Sequence, residues 1–334
     1  MRRNLGIGLA LLLAALCLTP AGAQSPVALK FGNTNTPGSP IMDGVYEFAR
    51  AAGERSQGRI KVEVYPNNQL AKGEAAHIEG VQLGTIDLTA NGSAAIGGAF
   101  EPAYQALDLP FLFSTREQVW RVMDGPIGQE LLKKMEPKAL KGLCFGGGFG
   151  FRHVLSNKRP ILSVDDMKGL TIRVQESPTY IMMMKALSAN PVPMPYAELY
   201  LAMKQGTVDA MEFPVSGFVT DKFYEVTKYY SLTSHSYSPI AYFVNLRKYQ
   251  ALPPDLRQAV DEAGRSACAL HRKNEVQKER EGLEFVKDKA GVQVNEVRDM
   301  KPFQDRMGAV YDAVAAKVGK EFVERLVAAA KAAK

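Results

Sequence analysis

The chain has 334 residues, 46% of them hydrophobic and 23% charged. That is enough apolar material for a packed core, without the charge bias of a disordered chain. At about 100 to 200 residues per domain the length points to two domains, and a collagen-like or coiled-coil chain is excluded. The formal net charge of +6 is modest for such a length, which argues against nucleic-acid binding.

The first 23 residues read separately. Arg2 and Arg3 precede the apolar run Leu9 to Leu18, which leads through Thr19-Pro20 into Ala21-Gly22-Ala23. A positive start, a short apolar stretch and a small-x-small site form a secretory signal. The run is too short for a membrane-spanning helix, which needs about 20 residues. Leu16 before Cys17 is a poor match to the small residue of a lipoprotein signal. The mature chain is expected to start near Gln24, with 39 Lys+Arg against 35 Asp+Glu, a net charge of +4. Export leaves Cys144 and Cys268 in an oxidising compartment. Two buried free thiols are the expectation, since cysteine buries well; pairing stays open, because it needs Cα atoms within about 7 Å.

In chain order, Val27-Ala-Leu-Lys-Phe-Gly32 reads as a strand ending at glycine. Ile41 to Arg55 is an amphipathic helix with Val45, Phe48, Ala49 and Ala52 on one face. Ile60-Lys-Val-Glu-Val-Tyr65 alternates as a strand, completing a βαβ unit. The order repeats with a helix from Glu74 to Leu83, a strand from Thr85 to Ala90, and helices from Thr115 to Met123 and Pro126 to Met135. Strands alternating with helices predict an α/β protein with a mostly parallel sheet. The run Phe145-Gly-Gly-Gly-Phe-Gly150 suits a crossing between domains. A second α/β set follows: strand Leu170 to Val174, helices Pro178 to Leu187 and Tyr196 to Gln205, and strand Thr207 to Met211.

Asp255 to Ala290 carries no proline. Its apolar stripe of Leu256, Val260, Ala263, Ala267 and Leu270 dissolves into charge and resumes at Leu283 and Val286. As one helix it extends about 50 Å, long enough to lie across two domains. The basic run Arg272 to Arg280, interleaved with Glu275 and Glu279, reads as a solvated face with i,i+4 pairs.

Several chemistries are missing. No G-x-G-x-x-G, Walker lysine or G-x-S-x-G occurs. The histidines His77, His153, His235 and His271 form no H-x-x-x-H pair, so neither a zinc site nor a cofactor is expected. What remains is a basic corner. Alternation in Leu170-Thr-Ile-Arg-Val-Gln175 sets Arg173 opposite Leu170, Ile172 and Val174, near the strand end where α/β folds hold ligands. Glu176 and Ser177-Pro178 then open a helix whose N-terminus adds partial positive charge. Such a corner suits a carboxylate; the alternative is a plain salt bridge for Arg173.

These blocks resemble the solute-binding subunits of TRAP transporters, the tripartite ATP-independent periplasmic carriers. The likeness runs through Leu29-Lys-Phe-Gly, Ser56-Gln-Gly-Arg-Ile-Lys-Val, Tyr65-Pro-Asn-Asn-Gln-Leu70, Gln82-Leu-Gly-Thr-Ile-Asp87, Leu109-Pro-Phe-Leu-Phe113, Asp166-Met-Lys-Gly-Leu-Thr-Ile-Arg-Val174 and Pro193-Met-Pro-Tyr-Ala-Glu-Leu-Tyr200. It implies a two-lobed fold bridged by a long helix, with lobe I at 24–149 and 239–278 and lobe II at 150–238 and 279–334. It also implies a monomeric periplasmic protein that delivers an organic acid to small and large membrane subunits without catalysis.

By the same resemblance Arg173 is the carboxylate clamp and Arg152 a second arginine. Where sugar-acid and dicarboxylate members read Asp-Gly-Gln-Glu-Asn-Pro, this chain has Asp209-Ala-Met-Glu-Phe-Pro214, so Phe213 replaces a donor by an apolar wall. With Tyr196 alongside, the expectation is an aromatic or less polar monocarboxylate, or a 2-oxo or hydroxy acid; a sugar acid or dicarboxylate is the alternative. Members that hold a metal do so through a Gln at the Arg152 position, so no metal is expected here, and Glu212 is free to pair with Arg152. Thr34, Glu74, Asn91 and Ser93 are candidate polar residues of the first lobe, and His235 falls where some members have a pocket histidine. Met182, Met183 and Met184 read as helix core. A secreted enzyme acting on a small carboxylate would draw its base from Glu212, Glu176 or His235.

Overall fold

A computed structural model describes residues 25–288 and 291–333; the signal segment and Cys17 lie outside them. Among these residues, eleven strands form two sheets. The first contains β1 (Val27–Gly32), β2 (Ile60–Tyr65), β3 (Leu88–Gly92), β4 (Leu140–Phe145) and β10 (Ile240–Asn245), in the order β2-β1-β3-β10-β4. The second contains β5 (Arg152–Ser156), β6 (Thr171–Val174), β7 (Asn190–Pro193), β8 (Ala210–Pro214), β9 (Tyr229–Ser236) and β11 (Gln293–Glu296), in the order β11-β9-β5-β8-β6-β7.

The first βαβ unit forms as its periodicity dictates, with β1 and β2 parallel and Val27 opposite Ile60. Helix Pro40–Arg55 between them buries Ile41, Val45, Phe48 and Ala52. The sheets are mixed rather than mostly parallel. β10 runs antiparallel to β3 and β4, and β5 antiparallel to β8 and β9. Both strands enter from the other sheet, so they run against strands laid down locally by crossover helices. Two boundaries also move: the strand expected at Thr85 to Ala90 is Leu88–Gly92, and that at Thr207 to Met211 is Ala210–Pro214.

The long helix is Pro254–Asp288. Its first half buries Leu256, Val260, Ala263 and Ala267 in the core of β1, β10 and helix Pro40–Arg55, where small side chains let the two helices approach. Its far end buries Val286 in the core of β8 and β9. Its charged middle is not simply a solvated face: His271 and Glu275 are fully buried, and the ion pairs of Glu275, Glu279 and Arg272 reach off the helix to Arg116 and Asp124. The stretch 279–334 divides. β11 joins the second sheet, whereas helices Gly308–Val318 and Lys320–Ala332 place Val314, Phe322, Val323 and Leu326 in one core with Ile78, Val119 and Leu131.

Cys144 on β4 and Cys268 on the long helix form a disulfide, with Cα atoms 6.5 Å apart. The expected free thiols are thereby corrected: the fold brings together two residues 124 positions apart. No helix of the described residues is long and apolar enough to cross a membrane.

Candidate functional site

β6 delivers Arg173 to the interior, where it is 3% exposed. Its Nε and Nη2 donate to the Met194 carbonyl at 3.0 and 2.7 Å, which uses two of its five N–H donors. No carboxylate among the described residues comes within ion-pair distance of it. Burial, reinforced by the Arg152 charge, lowers its pKa to about 10. It stays charged at neutral pH, at a cost that an incoming anion relieves.

Arg152, on β5, is buried as well, but its charge is matched. Nε pairs with the Glu212 carboxylate of β8 and Nη2 donates to the Glu212 carbonyl at 2.9 Å. Its guanidinium lies 5.6 Å from the ring centres of both Tyr180 and Phe213. Burial opposes the charge, yet Glu212 outweighs it and holds Arg152 above its usual range. Glu212 Oε1 is buried without a hydrogen-bond partner. The same is true of His235 Nε2, which lies 4.0 Å from Glu212 Oε2 while Nδ1 meets Thr233 Oγ1 at 2.8 Å. Burial, then the Arg152 charge, keeps His235 well below the ordinary imidazole range and His153 at about 3. Both are neutral, so the positive charge in excess here is that of Arg173.

Glu74, the first residue of helix Glu74–Leu83, accepts the Gly92 N–H of β3 through Oε2 at 3.0 Å. Burial raises its pKa, while the Gly92 N–H and the charges of Arg152 and Arg173 pull it down. Asn91, on β3, accepts from Thr89 at 2.8 Å. Thr34 is buried beside Asn35. Ser93 donates at 2.6 Å to Asp108, which the sequence reading missed. Asp108 is fully buried, takes a second bond from Ser238 at 2.9 Å and has no partner for Oδ2; burial raises it to about 7. Only the fold could reveal it, because Ala106-Leu-Asp-Leu-Pro110 reads as an apolar loop.

Phe213 is 6% exposed and stacks on Tyr196, with centres 5.8 Å apart and planes 4° from parallel. Tyr196 donates to Asp221, and Asp221 in turn meets Thr36 of the first sheet's loops. Glu176 is exposed; its charge favours that of Arg173, and its carbonyl abuts Gly98, where a Cβ would collide. Thr36 with Asp221 and Gly98 with Glu176 are contacts between segments attached to the first sheet and segments attached to the second. An open groove of about 890 Å³ along Leu162, Lys287 and β11 holds none of these residues.

The sequence profile of the bacterial extracellular solute-binding protein family 7, DctP, matches residues 31–318. The chain belongs to this family. It is 33% identical over 299 residues to the 2,3-diketo-L-gulonate-binding periplasmic protein YiaO of Escherichia coli, covering 90% of each chain. Among solved structures it resembles the sugar acid binding protein of Advenella mimigardefordensis in complex with galactonate, at TM-score 0.89 and 31% identity over 93% of this chain and 99% of that one. It also resembles a TRAP periplasmic solute binding protein of a Polaromonas species bound to D-erythronate, at TM-score 0.86 and 36% identity over 90% and 98%. The family consists of two-lobed periplasmic solute-binding subunits of TRAP transporters, which carry rather than transform their ligands. This subunit is therefore no enzyme, and Glu212, Glu176 and His235 need no catalytic role.

Proposed function

We propose that this subunit captures a hydroxylated monocarboxylate between its lobes, anchors the carboxylate on Arg173 and hands it to the membrane subunits of its transporter. The observation that carries the reading is Arg173 itself, a buried guanidinium bonded to one carbonyl beside an Arg152 already neutralised by Glu212. One unmatched positive charge calls for one carboxylate. A second would find only Arg152, already paired with Glu212, whose carboxylate repels it. The two-pronged geometry of guanidinium fits a carboxylate, and each charged hydrogen bond contributes about 1.5 to 3 kcal/mol.

Hydroxyls on the ligand are favoured by the buried unpartnered atoms of Glu212, His235 and Asp108, since unpaired polar atoms select ligands that pair them. The galactonate and D-erythronate held by the two similar structures are hydroxylated monocarboxylates and agree. A less polar or aromatic acid is the second reading, because Phe213 stands where the family's donor would be. Stacking of Phe213 on Tyr196 weighs against it, since that face is already covered. The lobes proposed are those of the two sheets, with the helices after Gly308 joining the first, and the subunit works as a monomer.

A thermal-shift screen of the mature chain tests this with aldonates, small hydroxy acids, 2-oxo acids, dicarboxylates, aromatic acids and the matching neutral amides. Ligand at a hundred times its dissociation constant stabilises by about 2.7 kcal/mol. The reading requires hydroxy monocarboxylates to lead. A screen led by dicarboxylates or amides overturns it, and one led by aromatic acids establishes the second reading.

A further inference from the structure

Three of the segments that join the sheets meet at one buried carboxyl. They are 146–151 between β4 and β5, 237–239 between β9 and β10, and the long helix. Glu275 on the helix is fully buried. Its Oε2 accepts the Gly148 N–H of the first segment at 2.9 Å and the Tyr237 hydroxyl of the second at 2.7 Å. One turn earlier on the same face, His271 Nε2 meets the Gly148 carbonyl at 2.9 Å and Nδ1 meets the Tyr242 hydroxyl at 3.1 Å. The glycine run is what lets the helix come this close: a Cβ on Gly147 would strike the Glu275 carboxyl, one on Gly146 the His271 ring, and one on Gly150 the Glu279 carboxyl.

Rotating one sheet against the other turns the 146–151 and 237–239 segments relative to the helix. The bonds from Gly148 and Tyr237 to a single carboxyl cannot both survive that turn. We propose that Glu275 is a proton-responsive latch of the hinge: neutral, it holds the three segments in the closed arrangement; ionised, it draws water and releases them.

The surroundings of Glu275 set the sign. Burial pushes its pKa up to about 7 against the pull of Tyr237, Gly148 and Arg116, and Glu279 adds to the rise. The groups facing it are Tyr237 from the second segment, Arg116 from helix Arg116–Asp124 with Nε 3.8 Å from Oε1, and His271, Arg272 and Glu279 on its own helix; the glycine run brings only backbone. Water admitted on opening returns the carboxyl toward its ordinary value. Raising the pH through 7 therefore favours the open form, by a ratio of up to about two orders of magnitude if the whole shift is recovered.

Two readouts on the ligand-free mature chain test this. Trp120, the one tryptophan of the sequence, neighbours Tyr237 and has the Arg272 guanidinium 5.7 Å from its ring centre, so its fluorescence reports the latch. Nitroxide labels on Tyr46→Cys and Leu201→Cys, both exposed and on opposite sides of the cleft, report lobe separation by pulsed electron resonance between pH 5 and 9. Both signals are expected to change with one midpoint within about a unit of 7. Glu275→Gln, checked for folding by circular dichroism, abolishes both changes and stays in the low-pH distribution. Tyr237→Phe removes a bond to the ionised form and raises the midpoint. A separation change that persists in Glu275→Gln overturns the proposal and passes the role to Asp108. Equally, a fluorescence change with unmoved lobes, no separation change in the parent chain, or an unshifted midpoint in Tyr237→Phe overturns it.

Discussion

Cutting the Cys144–Cys268 bridge should lower stability without disturbing the sheets. The bridge closes a loop of 124 residues that contains all of β5 to β9, so it restrains the unfolded chain across most of the second sheet. Loop-closure entropy for that length corresponds to about 5 kcal/mol at 25 °C, an upper figure because long loops often deliver less. With about 2.1 cal/mol/K of unfolding entropy per residue, the melting midpoint of the mature chain falls by about 8 °C. Calorimetry of the parent chain against Cys144→Ser/Cys268→Ser, and against the parent in reductant, reads this directly. The double variant should melt where the reduced parent melts. Two reactive thiols in the denatured, unreduced chain, or a midpoint indifferent to both treatments, would refute the reasoning.

Three further outcomes follow from the buried charges. Glu212→Gln strands the Arg152 charge and costs about 3 to 5 kcal/mol by chemical denaturation; it also leaves the site doubly positive, so dicarboxylates gain on monocarboxylates in calorimetric titration, and equal losses for both would contradict the charge argument. The imidazoles of His153 and His271, held at about 3 and about 4 mainly by burial, should stay neutral in NMR spectra down to pH 5. Since their folded values lie below the unfolded 6.5, each contributes stability that is present above 6.5 and lost as pH falls toward its folded value; titration of either near 6.5 would show the burial to be wrong. Gly147→Ala drives a methyl into the Glu275 carboxyl and should cost about 1 to 3 kcal/mol, whereas Gly169→Ala, with no neighbour near its Cβ, tests only its positive φ.

Local pattern carried the elements whose faces differ. Helix Pro40–Arg55, β1, β2 and the long helix fall within a residue or two of the expectation because one side of each meets water or a neighbour of contrasting polarity. The pattern fails where both faces are buried: β8 and β10 are buried at every position, so no alternation fixes their limits, and β9 fills its buried positions partly with Ser, Thr and His. Arg173 was legible because alternation sets it apart from Leu170, Ile172 and Val174. Glu275 was not, because a run of mixed charges looks the same whether a glycine-rich segment covers it or solvent does. Asp108 and the disulfide depend on residues more than a hundred positions apart, Ser238 and Cys268, which only the fold brings close.

The central claim is that one unmatched guanidinium binds one carboxylate. Isothermal titration of the mature chain with D-erythronate, galactonate and their amides, repeated on Arg173→Met, tests it most directly. The account predicts that at least one acid binds while its amide does not, and that Arg173→Met loses at least about a hundredfold in affinity, the equivalent of two charged hydrogen bonds. Amides that bind as tightly as their acids, or an Arg173→Met chain that keeps its affinity, would contradict it.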